Sequence, residues 1–155
     1  MLLKNYGNVQ LGNHVSICQG IRIEIVYSSA GRKPELRIGD NVNIEQNVHI
    51  VCHSRILVGS NVSITGHCAI VDVTHLYQRD FRETEKIGNR ILDEDSFVEI
   101  GEGAFLGYGC VILPNVKIGS MAVIGANAVV TKNVPDYGIV AGNPAKLLKL
   151  YHPFL

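Results

Sequence analysis

The sequence predicts an all-β fold, a parallel β-helix wound from six-residue units, and three observations predict it. Aliphatic residues return every six positions, as in Ile38-Gly39-Asp40-Asn41-Val42-Asn43 followed by Ile44-Glu45-Gln46-Asn47-Val48-His49. Gly, Asn, Asp and Ser punctuate each unit, which is turn chemistry. Glycine numbers 16, Trp is absent and aromatics are few, a composition that favours strands and turns over helices. A period of six fits neither a helix at 3.6 nor plain alternation at two. It fits a short strand plus a tight turn. Three such units close a triangular coil, and stacked coils form a prism with parallel sheets on its sides. Strands lie about 4.8 Å apart, so five coils give a prism roughly 24 Å long, each coil burying its apolar face only against its neighbours. A β-sandwich would space its strands more irregularly and alternate more clearly.

In chain order, a weaker copy of the repeat runs from Leu11-Gly12-Asn13-His14-Val15 through Ile23. An insertion over 27–35, YSSAGRKPE, interrupts it; Gly, Pro and two basic residues make it an exposed loop. The hexads of 38–49 follow, then Val58-Gly59-Ser60-Asn61-Val62-Ser63, Ile64-Thr65-Gly66-His67-Cys68-Ala69 and Ile70-Val71-Asp72-Val73-Thr74-His75. A second insertion, 76–97, LYQRDFRETEKIGNRILDEDSF, starts directly after His75 and is densely charged. Loops of this length in compact domains are often functional. It offers Arg79, Arg82 and Arg90 to an anionic acceptor, and nothing selects among them. The repeat returns from Leu106 to Val129, an aliphatic residue opening each hexad and a small or aliphatic one at its fifth position. The tail, 135–155, leaves the prism: Pro135 and Pro144 block regular pairing, and Ala145 to Leu150 is expected as a short helix. Residues 1–155 read as a single domain.

Bulk properties narrow the function. Formal net charge is zero, which argues against a general nucleic-acid or polybasic-membrane role. The opening MLLKNYG is too short and polar for a signal peptide, and no apolar run reaches the length of a membrane span. Cys18, Cys52, Cys68 and Cys110 form no close pair and read as small buried hydrophobes in a reducing compartment. A cytoplasmic protein is expected.

These hexads, and above all VKIGSMAVIGANAVVTKNVPDYGIVAGNPAKLLK (116–149), resemble the hexapeptide-repeat acyltransferases. Similarity is to galactoside and xenobiotic acetyltransferases and to sugar O-acetyltransferases of surface-polysaccharide pathways, and it covers nearly the whole chain. The resemblance implies a left-handed β-helix; the period alone does not, since parallel crossovers are normally right-handed. It also implies acetyl transfer from acetyl-CoA to a hydroxyl of a sugar or of a polysaccharide or lipopolysaccharide precursor, without a metal. A homotrimer is implied, with sites between subunits, the 76–97 loop reaching a neighbour's site and the tail packing back on the coils.

Such a transfer needs a base, because a sugar hydroxyl is a poor nucleophile until its proton is removed, and an imidazole is suited to accept it near neutral pH. His14, His49, His53 and His152 read as structural or exposed, and His67, at the fourth position of its hexad, as a turn residue at the surface. His75 ends a hexad seventeen residues after Val58, just before the long insertion, and the resemblance places the family's catalytic histidine there. Asp72 completes an Asp-x-x-His pattern and could orient the ring, or could simply be a turn aspartate. Glu45 is a second carboxylate candidate, standing where relatives carry an Asn that touches the acceptor. The oxyanion needs an N–H donor, and by resemblance this is the backbone amide of Tyr108.

For coenzyme A the resemblance implies a smooth surface at Gly107, Gly125, Ala126 and Ala128, along which the pantetheine arm lies. Thr131 and Lys132 match the turn that contacts the nucleotide end, and Lys146 and Lys149 supply point charges for phosphate. Phe105 stands where the family often has Trp. Three other readings compete. An amino-sugar N-acetyltransferase shares the fold and a base histidine. A non-catalytic β-helix scaffold keeps the coils alone. A γ-type carbonic anhydrase needs three histidines around zinc, two of them with four residues between. Here His49 and His53 have three between them, and His67 and His75 have seven.

Overall fold

The computed structural model describes residues 2–4 (backbone only), 8–29, 31–77 and 86–151. Three sheets form the sides of a prism. Sheet A stacks β1 (Leu2–Lys4), β4 (Arg22–Ile25), β7 (His49–Cys52), β10 (Ala69–Val71), β13 (Val111–Ile112) and β16 (Val129–Val130). Sheet B holds β2 (Val9–Leu11), β5 (Glu35–Ile38), β8 (Arg55–Val58), β11 (Val98–Ile100) and β14 (Val116–Ile118). Sheet C runs through β3 (Ser16–Ile17), β6 (Asn43–Ile44), β9 (Ser63–Ile64), β12 (Phe105–Leu106), β15 (Val123–Ile124), β17 (Gly138–Ala141) and β18 (Lys146–Leu150). Successive strands visit B, C and A in turn and pair in parallel with the coils above and below, as in Asn43 with Ser63 and Ser63 with Phe105.

The hexad register becomes three inward ladders. Ile38, Val58, Ile100 and Ile118 stack at the end of sheet B; Ile44, Ile64, Leu106 and Ile124 in sheet C; Ile50, Ile70, Ile112 and Val130 in sheet A. All are buried, and each such side chain contributes about 1.5–3 kcal/mol on leaving water. Fifth-position residues such as Val42, Val62, Cys68 and Ala128 fill the corners between ladders. At the fourth position the chain turns with positive φ, which Asn tolerates: Asn41, Asn47, Asn61 and Asn127 all sit there. Coils approach so closely at the second position that a Cβ on Gly101 would lie 2.5 Å from the amide nitrogen of Ser120.

Coil length varies. Phe105 pairs with Val123, eighteen residues on, but Asn43 pairs with Ser63, twenty on. The extra residues lie at the turn that leaves β7, where both Ile56 and Val58 of β8 point inward. The tail differs from expectation. Residues 146–150 form β18, antiparallel to β17, and not a helix. The open edge of sheet C offers the segment a full set of backbone partners, which outweighs the local helix preference of AKLLKL. Cys52, Cys68 and Cys110 are buried free thiols, Cys68 and Cys110 stacked with sulfurs 3.5 Å apart, whereas Cys18 is exposed. Among the described residues no helix is long and apolar enough to cross a membrane.

Candidate active site

At the corner between sheets A and B, the turn after β7 is held by Asp72. Its carboxylate accepts the backbone N–H groups of His53 (2.5 Å), Ser54 (2.8 Å) and Arg55 (2.7 Å). Asp72 is fully buried, and burial pushes its carboxyl up, against the opposing pull of those three N–H groups. Both of its oxygens are thus engaged with the coil above. The geometry makes Asp72 the clamp of that turn, and the Asp-x-x-His pattern does not bring its carboxylate to the imidazole of His75.

The connection 72–97 leaves the prism here. Its feet are tied where Ser96 Oγ donates to the carbonyl of Asp72 (2.6 Å). Above them His75 and Ile91 form an antiparallel bridge, flanked by Leu76 N–H to Arg90 O (2.8 Å) and Leu92 N–H to Thr74 O (2.9 Å). The flanking bonds make this a non-hydrogen-bonded pair, in which the two side chains stand close together on one face. His75 is exposed there. Arg90 is half-buried nearby, while Arg79, Arg82 and His152 lie outside the described residues.

The connection 26–34 meets the longer one. Ser29 Oγ donates to Asp93 Oδ2 (2.7 Å), Arg32 Nη2 to the carbonyl of Asp93 (3.1 Å), and Arg32 Nε lies 3.1 Å from Asp95. Beneath them a cavity of about 170 Å³ is lined by Tyr27, Ser29, His53, Asn89, Ile91 and Asp93. His53 is 1% exposed. Its Nδ1–H donates to the carbonyl of Val26 (3.1 Å), and its Nε2 lies 3.5 Å from Asp93 Oδ1. The sequence reading took His53 as structural or exposed, and it is a buried residue that ties the turn to Val26.

At the opposite end of sheet A, the turn from sheet C carries the other candidates. Glu45 Oε2 accepts the N–H of Gly66 (2.9 Å). Tyr108 occupies the same corner two coils on from Glu45, and among the described residues no backbone acceptor is recorded for its N–H. His67, with φ of 62°, packs its ring 5.0 Å from that of Tyr108 and lies 3.2 Å from the side-chain amide of Asn47. It is the exposed turn residue that its hexad position predicts.

The residues read for coenzyme A separate into two places. Thr131, Lys132 and Lys146 share one groove of about 360 Å³ with Val130, Pro144 and Leu147. Lys149 is exposed on β18, paired with Ile139. Gly125, Ala126 and Gly107 lie at the corner between sheets C and A. Gly107 is buried, and a Cβ on it would meet the carbonyl oxygen of Ile124 at 2.5 Å, so close coil stacking explains this glycine without a ligand. Among the described residues no three His, Cys, Asp or Glu side chains gather as a metal site.

Comparison with known proteins agrees with this architecture. Residues 97–132 match the family described as bacterial transferase hexapeptide (six repeats). The chain is 28% identical over 156 residues to WbbJ of Escherichia coli, whose name assigns it to lipopolysaccharide biosynthesis as an O-acetyl transferase; the match covers 97% of this chain and 76% of WbbJ. It is 32% identical over 118 residues to the galactoside O-acetyltransferase of Lactococcus lactis, covering 76% of this chain and 54% of that protein. A hexapeptide-repeat acetyltransferase of Vibrio cholerae, solved with acetyl coenzyme A, superposes with a TM-score of 0.75 at 25% identity, over 92% of this chain and 71% of that one.

Proposed function

We propose that this chain, whose residues 97–132 match the bacterial transferase hexapeptide repeats, moves an acetyl group from acetyl-CoA to a hydroxyl of a sugar or a surface-polysaccharide precursor. The observation that carries the reading is the match of almost its whole length to WbbJ.

His75 removes the hydroxyl proton as the oxygen attacks the thioester carbonyl. Negative charge then develops on the carbonyl oxygen, where the Tyr108 N–H is the donor that stabilises it. Collapse of the tetrahedral intermediate breaks the carbon–sulfur bond, and the imidazolium of His75 protonates the departing thiolate. No covalent enzyme intermediate is needed. Thr131, Lys132 and Lys146, gathered in one groove, hold the nucleotide end of the carrier.

His75 follows the C-terminal end of β10, whereas Tyr108 precedes the N-terminal end of β13. Parallel strands place these two residues at opposite ends of sheet A. A working site therefore takes its base from one chain and its oxyanion donor from a neighbour, which a cyclic trimer provides.

Calorimetric titration with acetyl-CoA tests the donor, and saturable binding at about one site per chain is expected. Release of free thiol is then followed with glycosides and with their amino-sugar counterparts. Hydroxyl acceptors should turn over. Turnover confined to amines moves the reading to N-acetyl transfer, and a folded protein that binds no acetyl-CoA returns it to a scaffold.

A further inference from the structure

The cavity under the two connections is a built polar site that the transfer chemistry above leaves unused. His53 forms its floor. A carbonyl only accepts, so the bond to Val26 requires a hydrogen on Nδ1 and leaves Nε2 as the ring atom that faces the cavity, 3.5 Å from Asp93 Oδ1. That nitrogen is buried and has no hydrogen-bond partner. Asp93, Ser29, Asn89 and Tyr27 add a carboxylate, a hydroxyl, an amide and a phenol to the lining, and Ile91 the apolar wall.

Ile91 also ties the cavity to the reaction. It is the cross-strand partner of His75, and opposed residues of an antiparallel pair face the same side. The proposed base is thus the direct neighbour of a residue that lines the cavity. Asp93 Oδ1 lies 3.5 Å from the imidazole Nε2 and 3.8 Å from Arg32 Nη2, so a guanidinium offsets its charge and the cavity suits a neutral polar ligand.

We propose that this cavity is the acceptor subsite, in which His53 Nε2 forms a hydrogen bond with a sugar hydroxyl neighbouring the one that is acetylated. The proposal rests on the sugar O-acetyl reading given above. It names the acceptor as a neutral polyhydroxy ring whose second hydroxyl is read by an imidazole, and it explains why the short connection 26–34 is strapped to the long one by Ser29 and Arg32.

The test is steady-state kinetics with the best hydroxyl acceptor from a panel of methyl glycosides. His53→Asn keeps an N–H for the Val26 carbonyl and deletes the far nitrogen. It should raise the acceptor KM roughly tenfold, the worth of about one buried hydrogen bond, with the KM for acetyl-CoA unchanged. Ser29→Leu, on the exposed lip, fills the cavity without entering a coil. It should raise the same constant and carries the test if His53→Asn does not fold. An unchanged acceptor KM in both folded variants, or a fall in kcat alone, overturns the subsite while leaving the O-acetyl reading intact. Wild-type protein that acetylates no hydroxyl acceptor overturns both.

Discussion

Asp72 accepts the backbone N–H of His53 at 2.5 Å, so a carboxylate on one coil fixes the turn of the coil above it. Two further N–H groups, from Ser54 and Arg55, converge on the same side chain. Asp72→Asn replaces one acceptor with a donor facing N–H groups and should cost about 1–3 kcal/mol of stability near neutral pH. Burial holds the folded-state pKa of Asp72 above the unfolded one, so the folded chain carries the extra proton between the two values. The stability contributed by this group is full below the unfolded value and declines as pH rises through the folded value. The gap between wild type and Asp72→Asn should therefore widen on acidification toward the ordinary carboxylate range. Chemical denaturation across that range checks it; a narrowing gap would mean that the three N–H bonds outweigh burial.

His75→Ala should lower kcat at least a hundredfold, since a positioned base contributes roughly 10²–10⁴ in rate. The affinity for acetyl-CoA should stay near that of wild type, because His75 follows β10 whereas the lysine-bearing groove follows β16, two strands further along sheet A. Thiol release and calorimetry on the same preparation separate the two effects, and intact turnover sinks the assignment of the base.

Much of this fold is legible in the sequence because the repeat is its own packing diagram. Ile44, Ile64, Leu106 and Ile124 are six-residue openers in the sequence and one buried ladder in the fold. Residues 146–150 were not legible as a strand: their partner is an open sheet edge, a tertiary fact that overrides a helical pattern. The site divides in the same way. His75 is marked by its place at the end of the repeat, but Asp72 looks like its partner only in one dimension. Three-residue spacing cannot show that the turn 53–55 lies directly above the Asp72 carboxylate. His53 and Asp93 are forty residues apart and meet only because two connections fold toward each other over one corner.

Lys132→Ala and Lys146→Ala should each weaken acetyl-CoA binding about 3–10-fold, as expected for single phosphate contacts at a partly open groove. Their effect should shrink as salt is raised, because exposed charge pairs are screened within about 10 Å at 0.1 M. Calorimetric titrations at two salt concentrations read both. Affinity unchanged in both variants would remove the groove of Thr131, Lys132 and Lys146 from the carrier site.

Subunit mixing tests the two-chain site most directly. His75 and Tyr108 cannot serve one reaction within a chain if they stand at opposite ends of sheet A. Ala126→Trp, beside Tyr108 at the exposed C–A corner, should block the carrier surface without entering the core. Alone, Ala126→Trp and His75→Ala should each be nearly inactive. When the two are unfolded and refolded together in equal amounts, random association pairs an intact His75 with an intact Ala126 corner at about one interface in four of a cyclic trimer. Activity should return to about a quarter of the wild-type value. Failure to complement, with mixed trimers demonstrated by mass spectrometry, would place both groups in one chain's site and overturn the trimeric arrangement of the catalytic groups.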